Sequence, residues 1–419
     1  MFAFDHHSQD RHFRPRTDTS SSHEENWVPV IEPTVDLNGL PSTLEEAEDD
    51  LYLKSLPHQR KESVLSLERP FISSLVPTIN PPTPDDFLPL KVLGRGSFGK
   101  VLLVKQKATG RLFAQKQLAK SSLAINLSPG ARGADVRVEE KEILESIRHP
   151  FIVQLYYAFQ DKHKLYLILE YASGGELFTH LALEKMFPEQ TAVFYTAQLF
   201  LALHHLHSLN IIYRDLKPEN VLLSQRGDII LTDFGLSKQS AESSTFLGTV
   251  EYMAPEILTS DTYSFQVDYW SLGCVVFDML TGSPPFHGSN RAKITENITR
   301  AKVSYPYYLS PDARAFLGRL LQKNPSKRSC PLTPSGVASF QKDRFFRKIE
   351  WKLLKARKAD PPIAPLVTDP EAAENFADEF TKMAIKDDEA FIDGGLQFGG
   401  FTWQASHSLL NSLTPDLSV

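Results

Sequence analysis

The stretch "IIYRDLKPENVLL" sets Asp215, Lys217 and Asn220 within six residues, between two apolar runs. A loop held by those runs would bring one carboxylate, one ammonium and one amide to a common point. That set suits phosphoryl transfer. The carboxylate takes or orients a hydroxyl proton, the lysine steadies the transferring charge, and the amide oxygen binds Mg²⁺. Soon after, "LTDFGLSK" ends an apolar strand in Asp233, a second hard oxygen ligand for such an ion. A surface loop with incidental charges does not account for that succession.

Upstream, "LGRGSFGKV" places Gly94, Gly96 and Gly99 between two expected strands. Glycines there let backbone N–H groups approach phosphate oxygens, because no Cβ stands in the way. The dinucleotide-binding version of this pattern needs a helix after the glycines, and here a strand follows. Seventeen residues after Gly99 comes Lys116, in the expected strand "LFAQK". A lysine drawn into such a site needs an opposite charge. The helix that follows offers two candidates: Glu140, one turn before Leu144, is the expected partner, and Glu139 is the alternate.

Those residues need a scaffold. From Phe87 the text alternates apolar and polar residues with Gly at the breaks, which predicts three short antiparallel strands. "ADVRVEEKEILESIR" carries apolar residues at helical spacing, and "FIVQLYYAF" and "KLYLILEY" read as two more strands. After Gly175 the pattern turns helical. "PEQTAVFYTAQLFLALHHLHSL" is a long helix with Pro188 in its first turn, and "QVDYWSLGCVVFDMLTG" is apolar enough all round to be a core helix. The outline is α+β: a small strand-rich lobe with one helix, then a larger helical lobe. We expect three segments: 1–86 without fixed structure on composition, 87–346 as the folded domain, and 347–419 as a tail.

The chain of 419 residues is 42% hydrophobic with a formal charge of −6. No overall basic field points to nucleic acid or to anionic lipid. Its two cysteines, Cys274 and Cys330, suit neither a disulfide framework nor a zinc site. The apolar stretch "WSLGCVVFDML" is short and interrupted by Asp278. The expectation is a soluble, intracellular protein, cytoplasmic and also nuclear, with no membrane or nucleic-acid partner.

Taken in order, "GRGSFGKV", "FAQK", "YRDLKPEN", "DFG" and "APE" resemble the eukaryotic protein kinase family over roughly residues 87–346. The resemblance implies the bilobal kinase fold, with ATP and Mg²⁺ as cofactors. It makes Asp215 the catalytic base and Lys217 its phosphate-contacting partner. Asn220 and Asp233 would hold magnesium, and Lys116, paired with Glu140, the α/β-phosphates. Leu93, Val101 and Ala114 would join the glycines around the nucleotide. Backbone groups of Glu170 and Ala172 would meet adenine, with Glu176 beside them. Glu256 would pair with Arg328, and Asp268 would anchor the catalytic loop. "KPEN" and "GTVEYMAPE" favour Ser/Thr acceptors. Tyr213 stands where the family usually has His, and Gln115 where it has an aliphatic residue or Met.

Three stretches resemble the AGC group, and within it the ribosomal S6 kinase branch. "STFLGTVEYMAPE" makes Thr245 an activation-segment phosphosite, with Arg214 and Lys238 as its cations. "FGGFTW", 398–403, matches the group's hydrophobic motif, with Thr402 as regulatory site. Phe398 and Phe401 should dock into a groove of the small lobe beside the "EEKEILESI" helix. "PPIAPL" should cross the hinge, and "NFADEF" should lie near the nucleotide. The turn-motif acceptor is less clear, with Thr381 one candidate. Ala384-Ile385 stands where relatives have Thr-Pro, and Asp387, Asp388 and Glu389 could supply charge instead. Glu176, Glu219 and Asp278 match positions that receive arginines upstream of the acceptor, which implies protein substrates with Arg at −3 and −5. Upstream partners by the same likeness are a phosphoinositide-dependent-type kinase and a TOR-type kinase, and the protein would act as a monomer.

Overall fold

A computed structural model describes residues 82–96, 99–120, 133–235, 237–239, 250–259, 262–385, 398–406 and 410. The expectations for 1–81, for Thr245 and for Asp387, Asp388 and Glu389 fall outside the described residues, as do the side chains of Lys238 and of residues 133–138.

The small lobe is one antiparallel sheet: β1 (Phe87–Gly96), β2 (Gly99–Gln106), β3 (Leu112–Ala119), β4 (Leu155–Gln160) and β5 (Lys164–Leu169). The strand order is β1-β2-β3-β5-β4, and a short β10 (Trp403–Gln404) from the tail adds at the β4 edge. Period-two alternation gives the sheet two buried faces. One joins the main core through Leu118, Leu155, Leu165 and Leu167. The other holds Phe87, Phe113, Tyr156, Tyr157, Phe159 and Tyr166, with Phe380, Ile385 and Leu410 of the tail packed against them. The lobe's one described helix, α1 (Gly133–Ser146), buries Glu140, Ile143 and Leu144, with Ile147 just past its end: positions i, i+3, i+4 and i+7.

The helical lobe follows in chain order: α2 (Leu177–Glu184), α3 (Glu189–Ser208), β6 (Ile211–Ile212), β7 (Val221–Leu223), β8 (Ile229–Leu231), β9 (Lys238–Gln239), α4 (Pro255–Thr259), α5 (Gln266–Thr281), α6 (Arg291–Arg300), α7 (Pro311–Leu320), α8 (Pro334–Gln341) and α9 (Trp351–Lys355). The tail's short α10 (Asp378–Thr381) packs back on the small lobe through Phe380. Pro188 is the N-cap of α3, one residue before its first turn, where it has no N–H to leave unpaired. In α5 every residue from Val267 to Leu280 is buried, as the all-round apolar text predicts. Gly282 stops α5 at φ +78°, and a Cβ there would lie 2.1 Å from the Lys185 carbonyl. No described helix is long and apolar enough to cross a membrane. The α+β, two-lobed outline is the one expected.

Candidate active site

The glycine-rich text forms the β1–β2 hairpin, with Gly96 opposite Gly99. Gly99 is required by close approach: at φ +154° a Cβ would sit 1.8 Å from the Gln117 carbonyl oxygen. Gly94 faces open space, so its backbone remains approachable. Leu93, Gly94, Val101 and Ala114 line one wall of a cleft whose other walls include Glu170, Ala172, Leu222 and Asn220. This small, largely apolar slot suits a purine ring.

Strand β3 carries Lys116 into the cleft. Its Nζ lies 2.6 Å from Glu140 Oε1 and 2.7 Å from Asp233 Oδ1. Of the two glutamates left open by the sequence, Glu140 is the partner. It is 2% exposed, on the helix face shared with Ile143 and Leu144. Burial opposes the lysine's charge, but the two carboxylates outweigh it and hold the ammonium above its ordinary pKa. Lys116 in turn holds the Asp233 carboxyl down to about 2. Asp233 sits at φ +57°, an uncommon conformation for a non-glycine residue, and accepts from the Gly235 N–H at 3.3 Å. Gln115, the departure beside Lys116, is buried and accepts from Gln117 Nε2 at 2.7 Å.

The catalytic loop is hung on Asp268. One carboxylate oxygen accepts from Tyr213 N at 2.9 Å, the other from Arg214 N at 2.8 Å. Asp215 Oδ2 receives Lys217 Nζ and Asn220 Nδ2, each at 2.8 Å. The same Nδ2 reaches the Asp215 carbonyl at 2.8 Å, so the amide offers only its oxygen to a metal. Burial raises the Asp215 pKa, against the pull of Lys217 and Asn220. A carboxylate so placed is a better proton acceptor than an exposed one. Tyr213 fills the family's His position, fully buried, with its Oη donating to the Thr232 carbonyl and its ring edge-on to Phe234. The donor set fits a divalent cation with phosphates: hard oxygens from Asn220 and Asp233, with Lys116 beside them.

Among the expected substrate acids, Glu176 and Glu219 line the cleft. Burial raises the Glu176 pKa, and the charge of Glu219 adds to it. Asp278 is set back: it is 6% exposed and accepts from Tyr252 Oη at 2.8 Å. Burial, then Glu219, pushes its pKa up to about 6. The Glu256–Arg328 pair is bidentate and buried, with the guanidinium 5.1 Å over Trp270.

Besides the sheet face that Phe380, Ile385 and Leu410 cover, the tail meets the domain along the hinge and beside α1. Along the hinge, Asn375 Nδ2 donates to the Ser173 carbonyl at 3.1 Å, Tyr171 stacks on Phe376, and Phe376 lines the nucleotide cleft. At the small lobe Phe398 and Phe401 are 7% and 0% exposed, in the cluster that holds Leu118, Ile143, Leu144 and Ile147. Thr402 between them and the strand is exposed. Sequence reading did not foresee that the motif also adds a strand, with Trp403 opposite Ala158 and Gln404 opposite Tyr157. Nor did it foresee Gln160, whose amide donates to the Phe398 carbonyl at 2.7 Å and accepts from its N–H at 3.1 Å. Lys141 reaches the Gly400 carbonyl at 3.3 Å. His207, bonded to Asp268 at 2.8 Å, was also missed. One of three histidines near the end of α3, it carries no signal of a partner sixty-one residues away.

The protein kinase domain family matches residues 87–340. The chain belongs to that family, the eukaryotic protein kinases. Within it the chain is similar to ribosomal S6 kinases of the serine/threonine type. It is 47% identical over 313 residues to ribosomal protein S6 kinase alpha-3 of Mus musculus, covering 73% of this chain and 41% of that protein. It is 44% identical over 345 residues to ribosomal protein S6 kinase alpha-6 of Danio rerio, covering 80% and 46%. A putative ribosomal protein S6 kinase alpha-1 of Caenorhabditis elegans is 44% identical over 330 residues, 76% of this chain and 41% of that protein. The chain thus spans less than half the length of these relatives. Use of ATP and a divalent metal is general in the family.

Proposed function

We propose that the protein transfers the γ-phosphate of Mg-ATP to Ser or Thr of protein substrates with Arg at −3 and −5. The observation that carries this reading is the convergence of Lys116, Asp215, Asn220 and Asp233 at one end of an apolar cleft. Mg-ATP would supply the phosphoryl group and the metal's charge neutralisation. Asn220 and Asp233 would hold the metal through oxygen, and Lys116 would contact the phosphates. Asp215 orients the acceptor hydroxyl and takes its proton, while Lys217, fixed to Asp215, faces the transferring charge. Glu176 and Glu219, two neighbouring carboxylates, form a receptor for a guanidinium at −3. Asp278 adds negative field from behind Tyr252, toward −5.

Regulation fits the same reading. Phosphate on Thr245 and on Thr402 would raise activity, placed there by a phosphoinositide-dependent-type and a TOR-type kinase respectively, within nutrient and growth signalling in cytoplasm and nucleus. The exposed hydroxyl position of Thr402 beside a docked motif supports its being a modification site.

The test is ³²P transfer from Mg-ATP to an Arg-x-Arg-x-x-Ser peptide and to a version lacking the −3 Arg. Wild type should strongly prefer the first. Charge reversal at Glu176 and Glu219 should abolish the preference, and an unchanged peptide profile would remove the substrate assignment.

A further inference from the structure

His149 lies in the link from α1 to β4 and stacks on His205 of α3, with ring centroids 5.0 Å apart and planes at 20°. Together with Pro150, Leu201, His204, Ser208 and Lys355 of α9 they line a cavity of about 320 Å³. It lies apart from the nucleotide cleft, with which it shares no lining residue. No acidic side chain lines it. The nearest charged groups along the same elements are already used: Glu145 pairs with Lys141 at 2.7 Å, His207 is bonded to Asp268, and Arg148 lies over the Trp403 ring.

The tautomers follow from where each ring nitrogen sits. His149 Nδ1 accepts from the Phe151 N–H at 3.3 Å, so its proton is on Nε2. His204 Nδ1 and His205 Nε2 are walled off with no hydrogen-bond partner. An N–H at either place would be a buried orphan donor, which proteins avoid more strictly than an unfilled lone pair. The protons therefore sit on His204 Nε2 and His205 Nδ1. Each of the three rings keeps its N–H on the nitrogen left available, and the exposed Lys355 ammonium stands at the rim. Burial, then the neighbouring rings and Lys355, pushes His149 down to about 3, and burial also lowers His204 and His205. The cavity thus gathers donors and one cation, with no counter-charge.

We propose that this cavity binds a tetrahedral oxyanion of the phosphate class, held by the N–H groups of His149, His204 and His205 and by Lys355. Such an ion has several acceptor lone pairs and supplies the missing negative charge. A transition metal does not suit donors that present N–H, and no described group of three His, Cys, Asp or Glu side chains has metal-binding geometry. In each ring the second nitrogen either accepts from the Phe151 N–H or is walled off, so the rings donate as neutral imidazoles and binding takes up no proton near neutral pH. Because His149 follows the small-lobe helix while the other groups belong to the helical lobe, an occupied site ties the two together.

The test is NMR of the histidine rings in the full chain, with the nucleotide cleft saturated by a non-hydrolysable ATP analogue. Sulfate, whose charge does not change between about pH 6 and about pH 7.5, isolates the contribution of the imidazoles. It should shift His149, His204 and His205 saturably, with an affinity that does not change between the two pH values. Lys355→Ala, an exposed change that leaves the fold intact, should weaken binding several-fold, and His205→Gln should abolish it. Inorganic phosphate and O-phosphoserine separate the sources. Saturation by phosphate alone assigns a free anion, and saturation by phosphoserine as well assigns a phosphomonoester. Unsaturable shifts, or shifts indifferent to both variants, overturn the proposal.

Discussion

Asp268 and Glu140 are both buried carboxylates that position a catalytic partner, yet they are secured differently. Asp268 is fully buried and takes bonds from His207, Tyr213 and Arg214, all within one lobe and within sixty-one residues. Glu140 sits on a helix whose outer groove is filled by Phe398 and Phe401, more than 250 residues further along the chain. The tail's hold there includes two rings, the Gln160 and Lys141 contacts, Lys120 over the Phe398 ring, Arg148 over the Trp403 ring and a two-residue strand extended by the Ala405 N–H to the Tyr156 carbonyl. Burying two Phe rings is worth about 3–6 kcal/mol gross, before the cost of ordering the tail. The net is small enough for a phosphate or a binding partner to tip. The catalytic loop is thus held by contacts within one lobe, while the helix that carries Glu140 packs against a segment from the far end of the chain.

The sharpest way to break this contrast is to strike each side separately. Asp215→Asn should reduce transfer by about 10²–10⁴-fold. Its thermal stability should match wild type or exceed it slightly, because burial raises the Asp215 pKa and thus penalises the charged form. A large loss of stability would mean that the loop leans on this carboxylate structurally. Phe401→Ala should act next most strongly, removing a ring that is 0% exposed, at about 3–5 kcal/mol if the tail stays docked. We expect the variant tail to undock instead, leaving unfolding of the domain little changed and lowering activity by about 10–100-fold. Hydrogen exchange in α1 should rise in the same variant. Unaltered exchange there would show that Glu140 needs no support from the tail.

How much of this could be read beforehand follows the same division. Lys116–Glu140 was legible because a charge set among apolar text demands a partner, and few candidates exist, whereas Glu256–Arg328 came only with the family resemblance. Exposed aromatics in a polar tail pose the question of a destination, and the docking of Phe398 and Phe401 was legible through the resemblance of "FGGFTW" to the AGC hydrophobic motif. The β10 pairing was not, since it rests on backbone bonds that any two residues could make. Gln160 and His207 were hidden for a related reason: one ends an apolar strand, the other is one of three histidines on α3, and only the tertiary approach of Phe398 or Asp268 gives each a role. The histidine cavity draws on three elements far apart in the chain, so no local pattern announces it.

The smallest expected effect tests whether the side held within one lobe comes without cost. Asp278 is buried beside Tyr252 and feels Glu219, and its pKa rises to about 6 from an ordinary 3.8. The folded state thus keeps this proton to higher pH than the unfolded chain does. Below the unfolded value the group costs nothing. As pH rises through the folded value, stability falls, and above it the full penalty remains, at most about 3 kcal/mol. Asp278→Asn retains an acceptor for Tyr252 Oη but cannot ionise. It should therefore melt higher than wild type at about pH 8, with the advantage shrinking toward about pH 4. A gap between the two melting curves that does not vary with pH would place the cost elsewhere. If the slope disappears as expected while the preference for arginine at −5 weakens, then part of the large lobe's stability is held down by a carboxylate kept for its charge.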